Sequence, residues 1–313
     1  GGYIVRPGNW ERVYRRPVHF RRAGKPLPLP KPTAADFSRL WRHVNAAPEH
    51  RALVAGFLLS ALRPRGPFPA LALVAEQGSG KSHASRTLKA LTDPSASPLR
   101  APPKDERDLL VAATNSWVLA LDNLSGIDHQ LSDALCRLAT GGALAGRRLY
   151  SDTDEILIEL QRPVILNGID DIATRPDLAE RFLHIALPPI RERVTEADLQ
   201  EAWREDAGAI FAALLDGLAL ALERVELMEL GSLPRMADFA RFAAAGMPAL
   251  GFSEHEFIEA YRQNQAEAIE TGLESSPVGD AIRTFMENRT EWTGTSGDLL
   301  QRLLDVGGDT TAK

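Results

Sequence analysis

Short apolar runs separated by amphipathic stretches dominate the middle of the chain. Runs at 68–75, 118–121, 164–166 and 183–187 have the length of buried strands, and a helical pattern at 83–91 follows the first of them. Strands that lack a polar face are typical of a parallel sheet that is covered on both sides. The pattern therefore predicts an α/β domain that is built around a parallel sheet.

A helical period takes over from about residue 195 to residue 290. Ala, Leu and Glu are frequent there, and apolar residues recur at every fourth position at Ile210, Leu214, Leu218 and Leu222. We expect a helical domain after the α/β domain. Farther along, residues 278–288 predict a helix, 291–295 a strand and 299–304 a second helix, an order that resembles the beginning of a winged-helix module.

The N-terminal segment is rich in proline and in positive charge. Its prolines exclude a continuous helix, whereas short strands are expected within 13–22 and helices near 34–44 and 48–62. Residues 1–65 contain 13 basic and three acidic residues, a charge of +10, so the remainder carries −16 of the total −6. Such an arm favours contact with a polyanion such as nucleic acid, although a solvated surface or an acidic neighbouring subunit explains it equally well.

These patterns divide the chain into four expected domains. They are a basic extended and helical arm (1–65), an α/β core (66–190), a helical lid (191–275) and the start of a winged-helix-like module (276–313).

Composition is that of an ordinary globular protein, with 44% apolar and 25% charged residues. The single cysteine, Cys136, excludes an internal disulfide. No apolar run is long enough to cross a membrane. We therefore expect no membrane association and a cytoplasmic location.

A glycine-rich loop follows the first apolar run. Residues 75–82, AEQGSGKS, lie between a predicted strand and a predicted helix, which is the context of a phosphate-binding loop, with an ordinary turn as the alternative. Gly78 and Gly80 would let backbone N–H groups face the anion, Lys81 would reach the β- and γ-phosphates, and Ser82 would bind Mg²⁺. The residues expected to surround ATP are Gln77, Gly78, Ser79, Gly80, Lys81, Ser82 and His83.

The second apolar run ends in an acid, Asp122. In P-loop ATPases such an acid holds Mg²⁺ opposite the loop serine, so Asp122 is expected to share the ion with Ser82. The next residue is Asn123, where a glutamate base is common. An amide can orient a water molecule but cannot accept its proton. Either the base lies elsewhere, with Glu76 and Asp128 as candidates, or turnover is slow.

The third apolar run ends in an amide, Asn167. A polar side chain at the end of a buried strand suits a sensor that contacts the γ-phosphate or the attacking water. An asparagine that turns the chain before Gly168 is the alternative.

The order of these motifs resembles that of AAA+ ATPases: a phosphate loop, an acid-ended strand, an Asn-ended strand, arginines and a helical lid. Residues 121–125, 135–142 and 234–239 are similar to the ATPase half of prophage and mobile-element primase-helicases, in the branch that includes superfamily III helicases. The resemblance implies an α/β P-loop AAA+ core with a parallel sheet and a C-terminal helical lid, preceded by the basic arm, with ATP and Mg²⁺ as cofactors.

The resemblance also implies roles for three arginines. Arg181 looks like the finger that reaches the γ-phosphate of a neighbouring subunit, with Arg175 as the rival candidate. A salt bridge to Asp177 or Glu180 on the same helix is the alternative. Arg235, which opens a lid helix, resembles a second sensor that contacts the nucleotide of its own subunit.

Residues 146–162 resemble the β-hairpin that points into the channel of ring helicases and contacts the DNA backbone. Arg147 and Arg148 are the nearest basic residues and the expected DNA-binding candidates. They precede the predicted turn at 151–154, whose tip is acidic, so a hairpin with solvent-exposed arginines is an equal alternative.

The function implied is that of an ATP hydrolase, a DNA helicase or translocase of a phage-like or mobile-element replication protein. The expected working form is a homo-oligomeric ring, most simply a hexamer, on single-stranded or forked DNA. Two alternatives stay open. One is a nucleotide switch or loader that assembles on DNA or a protein partner without unwinding, which Asn123 favours; the other is a protein remodeller.

Overall fold

The computed structural model describes residues 2–14, 25–124, 126–147, 155–168, 180–190, 192–231, 234–274 and 277–307. The strands are β1 (Gly2–Arg6), β2 (Asn9–Val13), β3 (Ala70–Val74), β4 (Leu119–Leu124), β5 (Gly142–Arg147), β6 (Glu155–Leu160), β7 (Val164–Gly168) and β8 (Phe182–Ala186). The α-helices are α1 (Pro48–Ala61), α2 (Lys81–Thr92), α3 (Glu106–Thr114), α4 (His129–Thr140), α5 (Glu196–Arg224), α6 (Ala237–Gly246), α7 (Glu254–Glu274), α8 (Pro277–Met286) and α9 (Ser296–Gly307). No helix of this described part has both the length and the hydropathy that a bilayer crossing requires.

Four parallel strands form a sheet in the order β4-β7-β3-β8. β3 pairs with β7 on one side and with β8 on the other, and β7 pairs in turn with β4. These strands coincide with the four apolar runs, so the prediction of an α/β fold with a parallel sheet is confirmed. The order places β7 between the strand that leads into the glycine-rich loop and the strand that carries Asp122.

Both faces of the sheet are buried, and successive side chains alternate between two cores. Leu71 and Leu73 of β3 face a core that they share with α1, α2, α5, α6 and α7. Ala70 and Ala72 face a second core, shared with α3 and α4. Because helices cover both faces of the sheet, the side chains that point to either face of a strand are apolar. This explains the unbroken apolar runs in the sequence.

An N-terminal hairpin docks on the long helix α5. β1 pairs with β2 in antiparallel orientation, so the strands lie earlier than the predicted interval 13–22, which shares only Val13 with β2; residues 15–24 lie outside the described residues. The indole Nε1 of Trp10 donates to Asp216 at 2.7 Å, and the Gly8 amide donates to the Ala219 carbonyl at 3.0 Å. The hairpin is therefore attached to α5 at two points.

The proline-rich segment then runs along the same helix. The amides of Thr33 and Asp36 donate to the carbonyl oxygens of Gly208 and Ala209, both at 3.2 Å. A β-carbon on Gly208 would lie 2.4 Å from the carbonyl oxygen of Lys31. This approach of backbone to backbone requires glycine, and it explains why the buried face of this long helix has glycine at position 208.

A buried carboxylate joins this arm to α5. Asp206 is fully buried and accepts hydrogen bonds from Arg42 at 2.8 Å and from Arg39 at 3.3 Å. Its Oδ2 lies 3.0 Å from Nε2 of the buried His43. The arginines belong to a 3-10 helix, Phe37–Arg42, which is shorter than the helix expected at 34–44. Since a buried charge is costly unless it is paired, this cluster fixes the arm against α5.

Helices make up the chain from α5 onward, as the sequence predicted, but its last part differs in detail. α8 and α9 share a small core of Ala281, Phe285 and Leu303. The strand predicted at 291–295 is wrong, because these described residues have no regular secondary structure. Trp292 instead packs edge-on against Phe285, with 5.9 Å between the ring centroids.

Gly208→Ala should destabilise the protein, because the new methyl group must displace the Lys31 carbonyl. Overpacking of this kind costs about 1–3 kcal/mol, against a gain of up to about 1 kcal/mol in helix propensity. Urea unfolding measures the difference, and Arg204→Ala, at an exposed position of the same helix, is the control. An unfolding midpoint for Gly208→Ala at or above that of wild type would contradict the docking of this segment on α5.

Candidate functional site

The carboxyl ends of the four parallel strands meet at one edge of the sheet. The glycine-rich loop follows β3, Asp122 and Asn167 lie near the ends of β4 and β7, and the segment from Leu187 follows β8. The Leu187 amide donates to the Val74 carbonyl at 3.0 Å, which holds this segment beside the loop. Open parallel sheets bind ligands at this edge, so the fold brings the predicted residues to a suitable place.

The loop itself has the backbone shape of an anion cradle. Gly78 and Gly80 have φ angles of 85° and 82°, in the left-handed region that favours glycine. The hydroxyl of the buried Ser79 donates to the Glu76 carbonyl at 2.8 Å and closes the turn. α2 begins directly after Gly80, and the first N–H groups of a helix have no acceptor within it. These N–H groups and the helix dipole favour a bound anion.

Lys81 lies inside the loop. Its ammonium donates to the carbonyl oxygens of Ala75 and, at 2.8 Å, of Glu76. Burial lowers the pKa of Lys81, and the charge of Asp122 opposes that shift. Neutral carbonyl groups therefore hold the ammonium group of Lys81 in place. Phosphate oxygens are charged, so they accept stronger hydrogen bonds from this group than the carbonyl oxygens do.

Ser82 and Asp122, the two predicted metal ligands, are in direct contact. The hydroxyl of Ser82, in the first turn of α2, donates to Oδ1 of Asp122 at 2.8 Å, although β7 lies between β4, which carries Asp122, and β3, which leads into the loop. Elsewhere in the described residues, no group of three or more His, Cys, Asp or Glu side chains is arranged to hold a metal. A hydroxyl and one carboxylate suit Mg²⁺, which takes its remaining ligands from phosphate and water.

Asn167 connects three elements of the site. Its Oδ1 accepts from the Asn123 amide at 2.8 Å, and its Nδ2 donates to Ser85 Oγ of α2 at 3.0 Å. The pairing of β4 with β7 is irregular between Leu121 and Leu124, and the Asn167 oxygen serves the amide that this irregularity leaves free. The side chain is buried, and both its oxygen and its nitrogen are hydrogen-bonded within the protein. Asn167 therefore holds β4 and α2 in position, a role that the sequence did not indicate.

Asn123 has an unusual backbone. Its φ angle is 62°, in the left-handed region, and its side chain is exposed. Asparagine tolerates this conformation better than other residues with a β-carbon, glutamate included. The backbone thus gives a physical reason for asparagine at the position where the sequence suggested a missing glutamate.

The side chain of His83 lies against the arm, whereas the sequence suggested that His83 belongs to the residues around the phosphates. Its ring lies 6.4 Å from that of His43, and its buried Nε2 has no hydrogen-bond partner in the described part of the chain. Burial and then the neighbouring His43 lower the pKa of His83. Its side chain therefore contacts the arm, while its backbone N–H belongs to the first turn of α2.

The predicted arginines do not meet the loop of their own chain. Arg181 directly precedes β8, at the opposite edge of the sheet, and donates to the Cys136 sulfur at 3.2 Å. Arg235 forms an ion pair with Glu180 at that same edge. Arg175 and Arg148 lie outside the described residues, and only the backbone of Arg147, at the end of β5, is described.

Two residues near the loop were not predicted from the sequence. Ile190 and Arg193 lie in the segment after β8, and each approaches a loop glycine, Gly80 and Gly78 respectively. Their one signal in the sequence is their place directly after the last strand of the sheet, the edge at which the loop also lies.

A family model for actinomycete integrative conjugative element replication proteins matches residues 37–268. The chain belongs to this family. The matched residues include the sheet, the glycine-rich loop, Asp122 and Asn167. None of the curated proteins is significantly similar to this chain.

Solved structures resemble this replication protein only distantly. The apo NrS-1 C-terminal region has a TM-score of 0.48 and 16% identity, covering 90% of this chain and 66% of its own. A JCV helicase bound to a small molecule has a TM-score of 0.31 and 13% identity, with coverages of 72% and 67%. A full-length MCM homolog from Methanopyrus kandleri has a TM-score of 0.37 and 16% identity, with coverages of 74% and 59%. At these values the functional argument rests on the site itself.

Asn123→Glu should lower the free energy of unfolding by about 1 kcal/mol, because glutamate is strained in the left-handed region. Asn123→Gly should leave it unchanged or raise it, since glycine has no β-carbon. Chemical denaturation of the two variants beside wild type measures the difference. Equal stability of the glutamate and glycine variants would contradict the backbone conformation described for Asn123.

Proposed function

We propose that this member of the family is an ATPase whose hydrolysis of ATP drives movement on DNA, as a helicase or translocase. The observation that carries the proposal is the hydrogen bond of 2.8 Å between Ser82 and Asp122 at the mouth of the glycine-rich loop. A hydroxyl, a carboxylate, a partly buried lysine and a helix N-terminus converge there, which is the set of groups that phosphoryl transfer from ATP requires.

Each group has a task in binding the nucleotide. The N–H groups of the loop and of the first turn of α2 bind phosphate oxygens, and Lys81 exchanges its carbonyl partners for the β- and γ-phosphates. Ser82 and Asp122 would hold Mg²⁺, which would supply positive charge beside the phosphates. Asn167 keeps Asp122 and α2 in register through its two hydrogen bonds. The base that accepts the proton of water is not among these residues.

The position of Arg181 supports a ring as the working form. β8 has five residues and is about 16 Å long, and Arg181 stands at its beginning while the loop lies beyond its end. Its guanidinium is therefore too far from the phosphates of its own subunit and suits those of a neighbour. A repeated head-to-tail contact forms a ring when the rotation between subunits closes, and a hexamer is the form we propose.

Two features favour DNA as the substrate of the motor. β5 and β6 form an antiparallel hairpin that is separate from the central sheet, with Arg147 at the end of β5. The arm at residues 1–65 carries a charge of +10. Both provide basic groups for the phosphate backbone of single-stranded or forked DNA. Membership in a family of replication proteins also favours a motor that acts on DNA.

A nucleotide switch or loader is the second candidate. Asn123 favours it, because an amide at this position cannot take a proton from the attacking water. Such a protein would bind ATP and assemble on DNA or a partner with little turnover.

ATP hydrolysis with and without single-stranded DNA tests the motor. We expect a rate that DNA raises several-fold, because binding of the polyanion stabilises the assembled ring, and that Lys81→Ala abolishes, because the phosphates lose their main cation. Lys104→Ala, which removes an exposed lysine distant in sequence from the loop, is the matched control and should retain the wild-type rate.

The outcomes separate the candidates. A Lys81-dependent rate that DNA does not change would contradict the motor and favour a protein remodeller. Binding of ATP without hydrolysis, in a protein that sediments as a ring, would favour the switch.

Mixing two inactive variants tests the action of Arg181 between subunits. Lys81→Ala and Arg181→Ala should each be inactive, whereas an equal mixture should recover up to about a quarter of the wild-type rate, because one interface in four then combines an intact loop with an intact finger. The measurement is the ATPase rate of the mixture against the sum of the separate variants. No recovery in a mixture that forms rings would exclude this role for Arg181.

A further inference from the structure

Residues 187–190, which follow β8, run directly beside the phosphate loop and contact their surroundings at three points. Leu187 donates its amide to Val74 at 3.0 Å, and Asn45 donates its side-chain amide to the Pro188 carbonyl at 2.6 Å. Cδ1 of Ile190 lies 3.0 Å from the place that a β-carbon on Gly80 would occupy. The residues that follow therefore approach the loop from a defined direction.

Arg193 is the charged side chain that this course brings to the loop. Its Nη2 lies 3.6 Å from the place that a β-carbon on Gly78 would occupy. The side chain is exposed, and among the described residues no carboxylate or carbonyl forms an ion pair or a hydrogen bond with it. A planar cation with five N–H donors thus stands without an acceptor beside a turn whose own N–H groups favour an anion.

We propose that Arg193 binds the phosphates of the nucleotide held by the glycine-rich loop of its own subunit. The inference rests on the proposed ATP site and deepens it by assigning a cis arginine. A guanidinium matches phosphate oxygens in a bidentate manner, and the missing β-carbon of Gly78 leaves room for its approach.

The alternative candidate for this task stands elsewhere. Arg235, which the sequence suggested as the cis arginine, pairs with Glu180 at the opposite edge of the sheet. Arg193 lies two residues before Thr195, the N-cap of α5, whose hydroxyl accepts from the Asp198 amide at 3.2 Å. A phosphate held by both Arg193 and the loop would therefore connect the beginning of α5 to α2.

Titration of the full chain with a fluorescent, non-hydrolysable ATP analogue tests the proposal. Arg193→Ala should weaken binding about ten-fold, as expected for the loss of a charge-assisted hydrogen bond. Arg193→Lys should recover part of the affinity, because lysine keeps the charge and loses the bidentate geometry. Arg204→Ala, which removes an exposed arginine of α5, should bind as wild type does.

Stability is measured alongside binding. Because the Arg193 side chain is exposed, its loss should leave the unfolding midpoint of the nucleotide-free protein unchanged, so weaker binding would not reflect a damaged fold. Wild-type affinity in Arg193→Ala, with binding lost in Lys81→Ala, would overturn the role of Arg193 and leave the ATP site standing. If the wild-type chain binds no nucleotide, the proposed function itself fails.

Discussion

The buried amide of Asn167 is the interaction on which the arrangement of the site depends. It accepts from the Asn123 amide and donates to Ser85, so a single side chain joins β7 to the neighbouring strand β4 and to the helix α2. Asp122 is adjacent to one of these partners, and Ser82 lies one helical turn before the other. Since an unpaired amide in this dry position would be costly, the two hydrogen bonds hold serine and carboxylate in contact.

The sequence predicted what depends on local pattern and on the known roles of motifs. Apolar runs indicated the four strands, and the roles of these motifs in P-loop ATPases placed Asp122 opposite Ser82. Neither of these determines the order of the strands in the sheet or the hydrogen-bond partners of a buried side chain. Asn167 was expected to contact the γ-phosphate or the attacking water. In the structure its oxygen accepts from the amide of Asn123, at the irregularity of β4.

The arginines show the same division between local and long-range information. Arg181 precedes a strand of known direction, so its distance from the loop of its own subunit follows from the sequence once the sheet is parallel. Arg235 lies 55 residues from its partner Glu180 along the chain, and only the packing of the helical part against β8 brings the two together. The position of Arg193 was hidden for the same reason, because the path of the chain between β8 and α5 depends on Asn45 of the arm.

The helix α5 and the arm are joined to each other and to the first turn of α2 by direct contacts. His83 follows Ser82 in the first turn of α2, and its ring lies 6.4 Å from that of His43, which contacts the buried Asp206 of α5. Since burial lowers the pKa of His83, its ring is neutral near pH 7 and packs there without a charge to repel the cations of the arm. The N-terminal hairpin is bonded to α5 through Trp10. The arm and the hairpin are thus attached to the same helix whose beginning lies beside Arg193, and the paired, buried charge of Asp206 makes their separation from α5 costly.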